Sequence, residues 1–204
     1  MRYSAYTPGN RSRSWKPRVR RKRSGVSVLL SLTLIFISVV VGTNTARRII
    51  YPQKYSTLVG QYSSQFGVDE SLVYAVIKTE SGFDKSARSA VGAMGLMQIT
   101  PETFEWLQTK LPPEHELTSD DLYQPEINIR YGVFFLSLLR GEFGNDRLAI
   151  AAYHAGRGSV NNWLSSNIVT SDGCEISDIP ISATGHYVSK VESARDVYID
   201  MYYR

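Results

Sequence analysis

The run from Gly25 to Ala46 carries no charged side chain, and Val26 to Val41 within it is almost wholly apolar. Wound as a helix, it reaches or nearly reaches the length needed to cross the hydrocarbon of a bilayer. This run divides the chain before any other feature is weighed. On its N-terminal side lies Arg18-Val19-Arg20-Arg21-Lys22-Arg23, with Arg11, Arg13 and Lys16 upstream. That excess of positive charge predicts that the N-terminus stays in the cytoplasm and the remainder is exported. A cleaved signal peptide is the alternative. Its apolar core would be at the long end for one, and Gly42-Thr43-Asn44-Thr45-Ala46 offers no clean small-x-small cleavage site. Both points favour an uncleaved, single-pass anchor.

The formal net charge of +4 conceals an asymmetry. Residues 1–54 hold 12 of the 23 Lys and Arg residues, and no acidic residue precedes Asp69. Residues 55–204 carry 11 basic and 19 acidic side chains, a net of −8. The basic character therefore belongs to the tail, and nucleic acid is not an expected partner. The expected organisation is a basic cytoplasmic tail (1–24), a transmembrane signal anchor (25–45), a juxtamembrane linker (46–54) and one exported domain (55–204). Cys174 is the single cysteine, so no internal disulfide can form. It reads as a spare loop thiol.

The exported domain reads as all-α, with at most one small β turn. Tyr55 to Phe66 has helical apolar spacing and stops at Gly67. Asp69 is the expected cap of the next helix, which runs through Glu80 to Gly82. Residues 83–98, with Gly92 and Gly95, suit turns or a short hairpin. Thr100 and Pro101 open a helix that Pro112-Pro113 ends. Ile127 to Phe143 is a strongly apolar helix. Asp146 is expected to cap Arg147 to Ala155, with Gly156 ending it. Ser159 is expected to cap a short helix through Trp163. A loop over 165–182 leads to a last helix, Thr184 to Tyr203.

Glu80 is the candidate catalytic residue. Leu72, Val73, Val76 and Ile77 form an apolar stripe, and Glu80 continues it at i+3 and i+4. A carboxylate on such a stripe loses solvation, and the helix C-terminus disfavours its charge. Both effects favour the protonated acid near neutral pH, as a general acid requires. The alternative is a glutamate turned out to water or paired with Lys78, Lys85 or Arg88.

The residues that follow carry more. Glu80-Ser81-Gly82-Phe83-Asp84 is followed by Ala87 and Ser89, and then by Gly92-Ala93-Met94-Gly95-Leu96-Met97-Gln98-Ile99-Thr100-Pro101-Glu102-Thr103. Ala151-Ala152-Tyr153-His154-Ala155-Gly156 and Val160 come next, and Tyr187-Val188-Ser189-Lys190-Val191 lies near the end. In this order the segments resemble the catalytic domain of the soluble lytic transglycosylases, which share the goose-type lysozyme fold. The resemblance covers about Tyr55 to Tyr203 and implies a compact, lysozyme-like helical domain, α+β at most.

The resemblance also implies an activity: cleavage of the β-1,4 bond between N-acetylmuramic acid and N-acetylglucosamine in peptidoglycan, leaving 1,6-anhydromuramoyl ends. Glu80 would be both acid and base. Ser89 would polarise the acetamido group. Gly95, Leu96, Met97 and Gln98 would form one wall of the groove. Tyr153 would orient the catalytic carboxyl, Gly156 would let backbone approach the groove, and Tyr187 would line it. Independently, the segment from Ser89 to Gln98 contains no Asp or Glu, and Asp84 suits a turn cap. Hydrolysis by the usual route needs a second carboxylate.

Two positions depart from the family pattern. His154 stands where Asn is usual; it can still donate and accept, with some pH dependence. Ala183 stands where Glu is usual. Three readings remain: a membrane-anchored lytic transglycosylase, a goose-lysozyme-like hydrolase, and a non-catalytic peptidoglycan-binding module. The expected partners are peptidoglycan glycan strands and the bacterial cell membrane, with the domain on the extracytoplasmic side. No cofactor or metal is expected, since His115-Glu116 lacks a second His at helical spacing and His115, His154 and His186 are scattered.

Overall fold

A computed structural model describes Met1, residues 25–170 and residues 174–204, apart from the side chains of residues 26 and 27. The basic tail expected over 1–24 lies outside the described residues. The chain divides into two compact units, residues 1–47 and 48–204.

Helix α1, Gly25–Ile50, carries the apolar run. Its stretch Val28–Ile50 is long and apolar enough to cross a membrane, and none of it is buried by protein. Helix continues through the first half of the segment expected as linker. It breaks just before Pro52, whose ring disfavours helix at Tyr51 and whose nitrogen has no hydrogen to donate. The hydroxyls of Tyr198 and Tyr202 then donate to the carbonyls of Pro52 and Tyr51 at 3.1 and 2.8 Å.

Among the described residues seven further helices follow. They are α2 Ser56–Phe66, α3 Glu70–Glu80, α4 Pro101–Lys110, α5 Pro125–Phe143, α6 Asp146–Ala155, α7 Arg157–Ser165 and α8 Ser182–Tyr202. Two short 3-10 turns, Ser119–Tyr123 and Ile176–Asp178, lie in the connections, and sequence periodicity had no means of showing them. Among the described residues there is no strand, only isolated bridges pairing Met94 with Arg88 and with Ile99. The domain is thus the helical, lysozyme-like fold expected.

Helix α3 forms the centre. Ser71 to Ile77 are all buried, and α3 packs most heavily against α8. Helix α5 lies against α2 and α6 and buries Ile129, Tyr131, Val133, Leu136 and Leu139. It also closes α2, because Ser137 and Arg140 donate to the carbonyls of Phe66 and Gly67, each at 2.8 Å.

Three expected caps are different. Asp69 makes no side-chain cap on α3; its carboxylate pairs with Arg195 instead. Asn145, not Asp146, caps α6, accepting from the amides of Arg147 and Leu148. Asp146 pairs with Arg140 and Arg195, both at 2.7 Å. Helix α7 starts directly after Gly156, and Ser159 donates back to the Ala155 carbonyl rather than capping. In the first two cases an arginine from another element takes the carboxylate that local geometry would have given to backbone amides. The Thr100 cap on α4 forms as expected, accepting from Thr103.

Candidate active site

Glu80 is the last residue of α3, where the buried stripe reaches the surface and the side chain is half-buried. Burial raises its carboxyl from 4.5 to about 7, against a lowering by the Tyr187 hydrogen bond. The Tyr187 hydroxyl donates to Glu80 Oε1 at 2.6 Å. Among the described residues no cation and no second carboxylate contributes to the shift. Lys78 lies over the ring of Tyr51 instead. Asp84 is exposed, and its Oδ1 accepts from the Ser86 amide at 2.9 Å, the turn role expected of it.

The end of α3 is clipped to the loop that follows it. Ser81 Oγ donates to the Leu96 carbonyl at 2.8 Å and accepts from the Phe83 amide at 3.2 Å. Gly82 and Phe83 both take positive φ, 59° and 71°. A bulky residue there is strained, and burial of the Phe83 ring against Tyr74 holds it.

The loop from Met94 to Gln98 is held by a residue that sequence reasoning missed. Asn128 of α5 is wholly buried. Its amide donates to the carbonyls of Met94 and Leu122 at 2.9 and 2.8 Å and accepts from the Met97 amide at 2.7 Å. The only prior signal was a lone Asn in the apolar sequence of α5. Gly95, at φ +77°, lies against this amide, and a Cβ there would collide with Asn128 and with the Leu122 carbonyl. A Cβ on Gly132 would likewise run into Met97.

These contacts alter several expected roles. Leu96 and Met97, expected in the groove wall, have fully buried side chains that belong to the core. Gln98, half-buried at φ 49°, donates through Nε2 to the carbonyls of Ala87 and Gly95, at 3.1 and 2.9 Å. Ser89 Oγ accepts from the Ala93 amide at 3.0 Å, as a turn hydroxyl does. Tyr153 does not hold the carboxyl: its hydroxyl donates to the Met97 carbonyl at 2.8 Å. Tyr187 makes the contact that had been expected of Tyr153. Both phenols are pushed well above 10, first by burial and then by the charge of Glu80, so both remain donors at neutral pH.

His154 lies beside this pair. Its ring stacks on Tyr187 with centroids 4.5 Å apart, and its Nδ1 is 3.1 Å from Thr184 Oγ1. Burial holds its imidazole below the ordinary value. Gly156 follows at φ 87°, ψ 146°, a conformation that suits glycine. Gly156 also borders a cavity of about 280 Å³ lined by Glu102, Thr103, Trp106, Phe135 and Arg157. Glu80 is not among its lining residues; an aromatic series runs from the cavity through Trp106 and Phe135 to Tyr153, whose phenol feels the charge of Glu80.

Residues 57–172 match the family described as Transglycosylase SLT domain. Over 156 residues the chain is 33% identical to the soluble lytic murein transglycosylase of Escherichia coli K12, taking in 76% of this chain and 23% of that protein. Membrane-bound lytic murein transglycosylase C of Serratia proteamaculans is 28% identical over 206 residues, 89% of this chain and 54% of that one. An inactive Glu-to-Gln mutant of lytic transglycosylase Slt from Pseudomonas aeruginosa superposes with a TM-score of 0.67 at 32% identity, covering 75% of this chain and 25% of that structure. The chain thus spans about a quarter of the soluble relatives and about half of the membrane-bound one. With that family matched over more than half its length, from the start of α2 past the end of α7, the chain belongs to the Transglycosylase SLT domain family.

Proposed function

We propose that the chain is a peptidoglycan lytic transglycosylase in which Glu80 is the single acid and base. The observation that carries this reading is the half-buried Glu80 carboxyl, raised to about 7 and held by Tyr187. Near neutral pH it is present in both forms, which suits one group giving and then taking a proton. Protonated Glu80 donates to the glycosidic oxygen between N-acetylmuramic acid and N-acetylglucosamine, and the C1–O bond breaks. Glu80, now carboxylate, takes the proton of the muramic acid C6 hydroxyl as that oxygen closes on C1. The products are an N-acetylglucosamine 4-hydroxyl and a 1,6-anhydromuramoyl end, and no water is consumed. Asp84, the nearest acid in sequence, is exposed and tied to Ser86, which supports a reaction that does without the second carboxylate needed by hydrolysis of the usual kind.

In the same reading Ser89, Gln98, His154 and Gly156 contact the sugars, and Gly95, Leu96 and Met97 contribute backbone to one wall. The protein is a single-pass component of the bacterial cell membrane through α1, with the catalytic domain outside the cytoplasm. That placement is supported by the apolar α1, the basic sequence before it and the likeness to membrane-bound lytic murein transglycosylase C.

Purified sacculi digested with the wild-type chain and with Glu80→Gln test the reaction. Anhydromuramoyl ends without reducing muramic acid are expected, with at least a roughly hundredfold loss in the variant. Reducing ends would make the chain a hydrolase. Equal, slow clearance by both proteins would make it a binding module.

A further inference from the structure

We infer that His154 is a positioning residue, which holds the Tyr187 phenol in place to donate to Glu80. This rests on the reading of Glu80 as the acid. Tyr187 is buried except for a small edge, and among the described residues its hydroxyl is the one group hydrogen-bonded to the Glu80 carboxyl. What fixes the phenol is therefore what fixes the carboxyl. His154, at the end of α6, covers the phenol ring at 4.5 Å and 30°, close to parallel. The same imidazole is fixed by Thr184, 3.1 Å from Nδ1. Thr184 and Tyr187 are three residues apart on α8 and share a face. His154 thus spans one turn of α8, touching the residue that holds Glu80 and the buried hydroxyl that precedes it.

Among the described residues no other side chain forms this bridge from α6. Tyr153 on that helix spends its hydroxyl on the Met97 carbonyl. An asparagine at position 154 could not stack a ring on Tyr187. The titratable groups facing Glu80 are Tyr187 from α8 and Tyr153 from α6; those facing Tyr187 are Glu80, Tyr153 and His154 itself. A donated hydrogen bond stabilises the carboxylate, so releasing the phenol raises the pH at which Glu80 titrates.

The test reads the Glu80 midpoint directly, by carboxyl carbon NMR on the full chain in detergent micelles without substrate. Tyr187→Phe is expected to move the midpoint up by about one pH unit, the scale of one hydrogen bond to a charged group. His154→Ala is expected to move it the same way, and the double variant to match Tyr187→Phe alone, because His154 acts through that phenol. His154→Phe, which keeps a ring over Tyr187, is expected to stay near the wild-type midpoint, and His154→Asn to follow alanine. The Phe and Asn pair decides the matter even where the alanine variant fails to fold. A wild-type midpoint in His154→Asn, the same shift in His154→Phe as in His154→Asn, or additive shifts in the double variant overturns the inference. Since no turnover is needed, a failure to find anhydro ends strikes the proposed reaction and leaves this result standing, and the converse holds.

Discussion

Burial and a phenol act on Glu80 in opposite directions, and burial wins: the carboxyl rises to about 7 although Tyr187 donates to it at 2.6 Å. Only the protonated form can give the glycosidic oxygen its proton. The rate at low substrate should therefore fall above about pH 7, approaching tenfold per unit, and a pH profile of sacculus digestion checks it. The same shift predicts a stability effect of definite sign. The folded state keeps a proton that the unfolded chain releases near 4.5, so folding is penalised as pH rises from there to about 7 and fully above it. Glu80→Gln removes the penalty. Melting curves should show the variant more stable at pH 8 by about 1–2 kcal/mol, discounted for partial exposure, and little different at pH 4. Much of this was legible in the chain, since an acid on the Leu72–Val73–Val76–Ile77 stripe is forced toward the interior. Which tyrosine meets it was not. Tyr153 and Tyr187 are both aromatic residues on apolar helix faces, and only packing assigns the hydroxyl of one to Met97 and of the other to Glu80.

At the level of elements, helices α3, α6 and α8 carry Glu80, Tyr153, His154 and Tyr187, and the loop between α3 and α4 is tied to them through Tyr153. The helices were readable from punctuation: Gly67, Gly144 and Gly156 at their ends, Thr100 and Pro101 at a start. The loop was readable as turns but not as a held shape. Its partners come from far along the chain, Asn128 and Tyr153 most of all, and no local period reports them. Asn128 satisfies the Met97 amide and the Leu122 carbonyl, and adds a second bond to the Met94 carbonyl, which already accepts from the Ile99 amide. Its amide is what lets the Met94–Gln98 backbone lie against α5. Asn128→Ala leaves the Met97 amide and the Leu122 carbonyl to find water or remain unpaired, at a cost of about 2–4 kcal/mol. Denaturant unfolding should show that loss. Activity should fall as well, although Asn128 is wholly buried, because the Leu96 carbonyl that receives Ser81 is part of the loop that moves.

For the whole molecule, charge and hydropathy together decide on which side of a membrane the chemistry takes place. The acidic side chains all follow α1, and more than half of the basic ones precede residue 55. Lys and Arg flanking an apolar helix resist transfer, whereas acidic residues in a following domain contribute little to orientation. The chain should therefore cross once, with its C-terminus outside. A phosphatase reporter that works only when exported, fused after Arg204, is expected to be active. Replacing Arg18, Arg20, Arg21, Lys22 and Arg23 by uncharged residues should reduce that activity, because nothing else in the first 46 residues but Arg2, Arg11, Arg13 and Lys16 is left to hold the N-terminus in the cytoplasm. An inactive reporter in the unaltered chain would place the catalytic domain where no murein lies. Glu80, with its pKa of about 7, would then need another substrate.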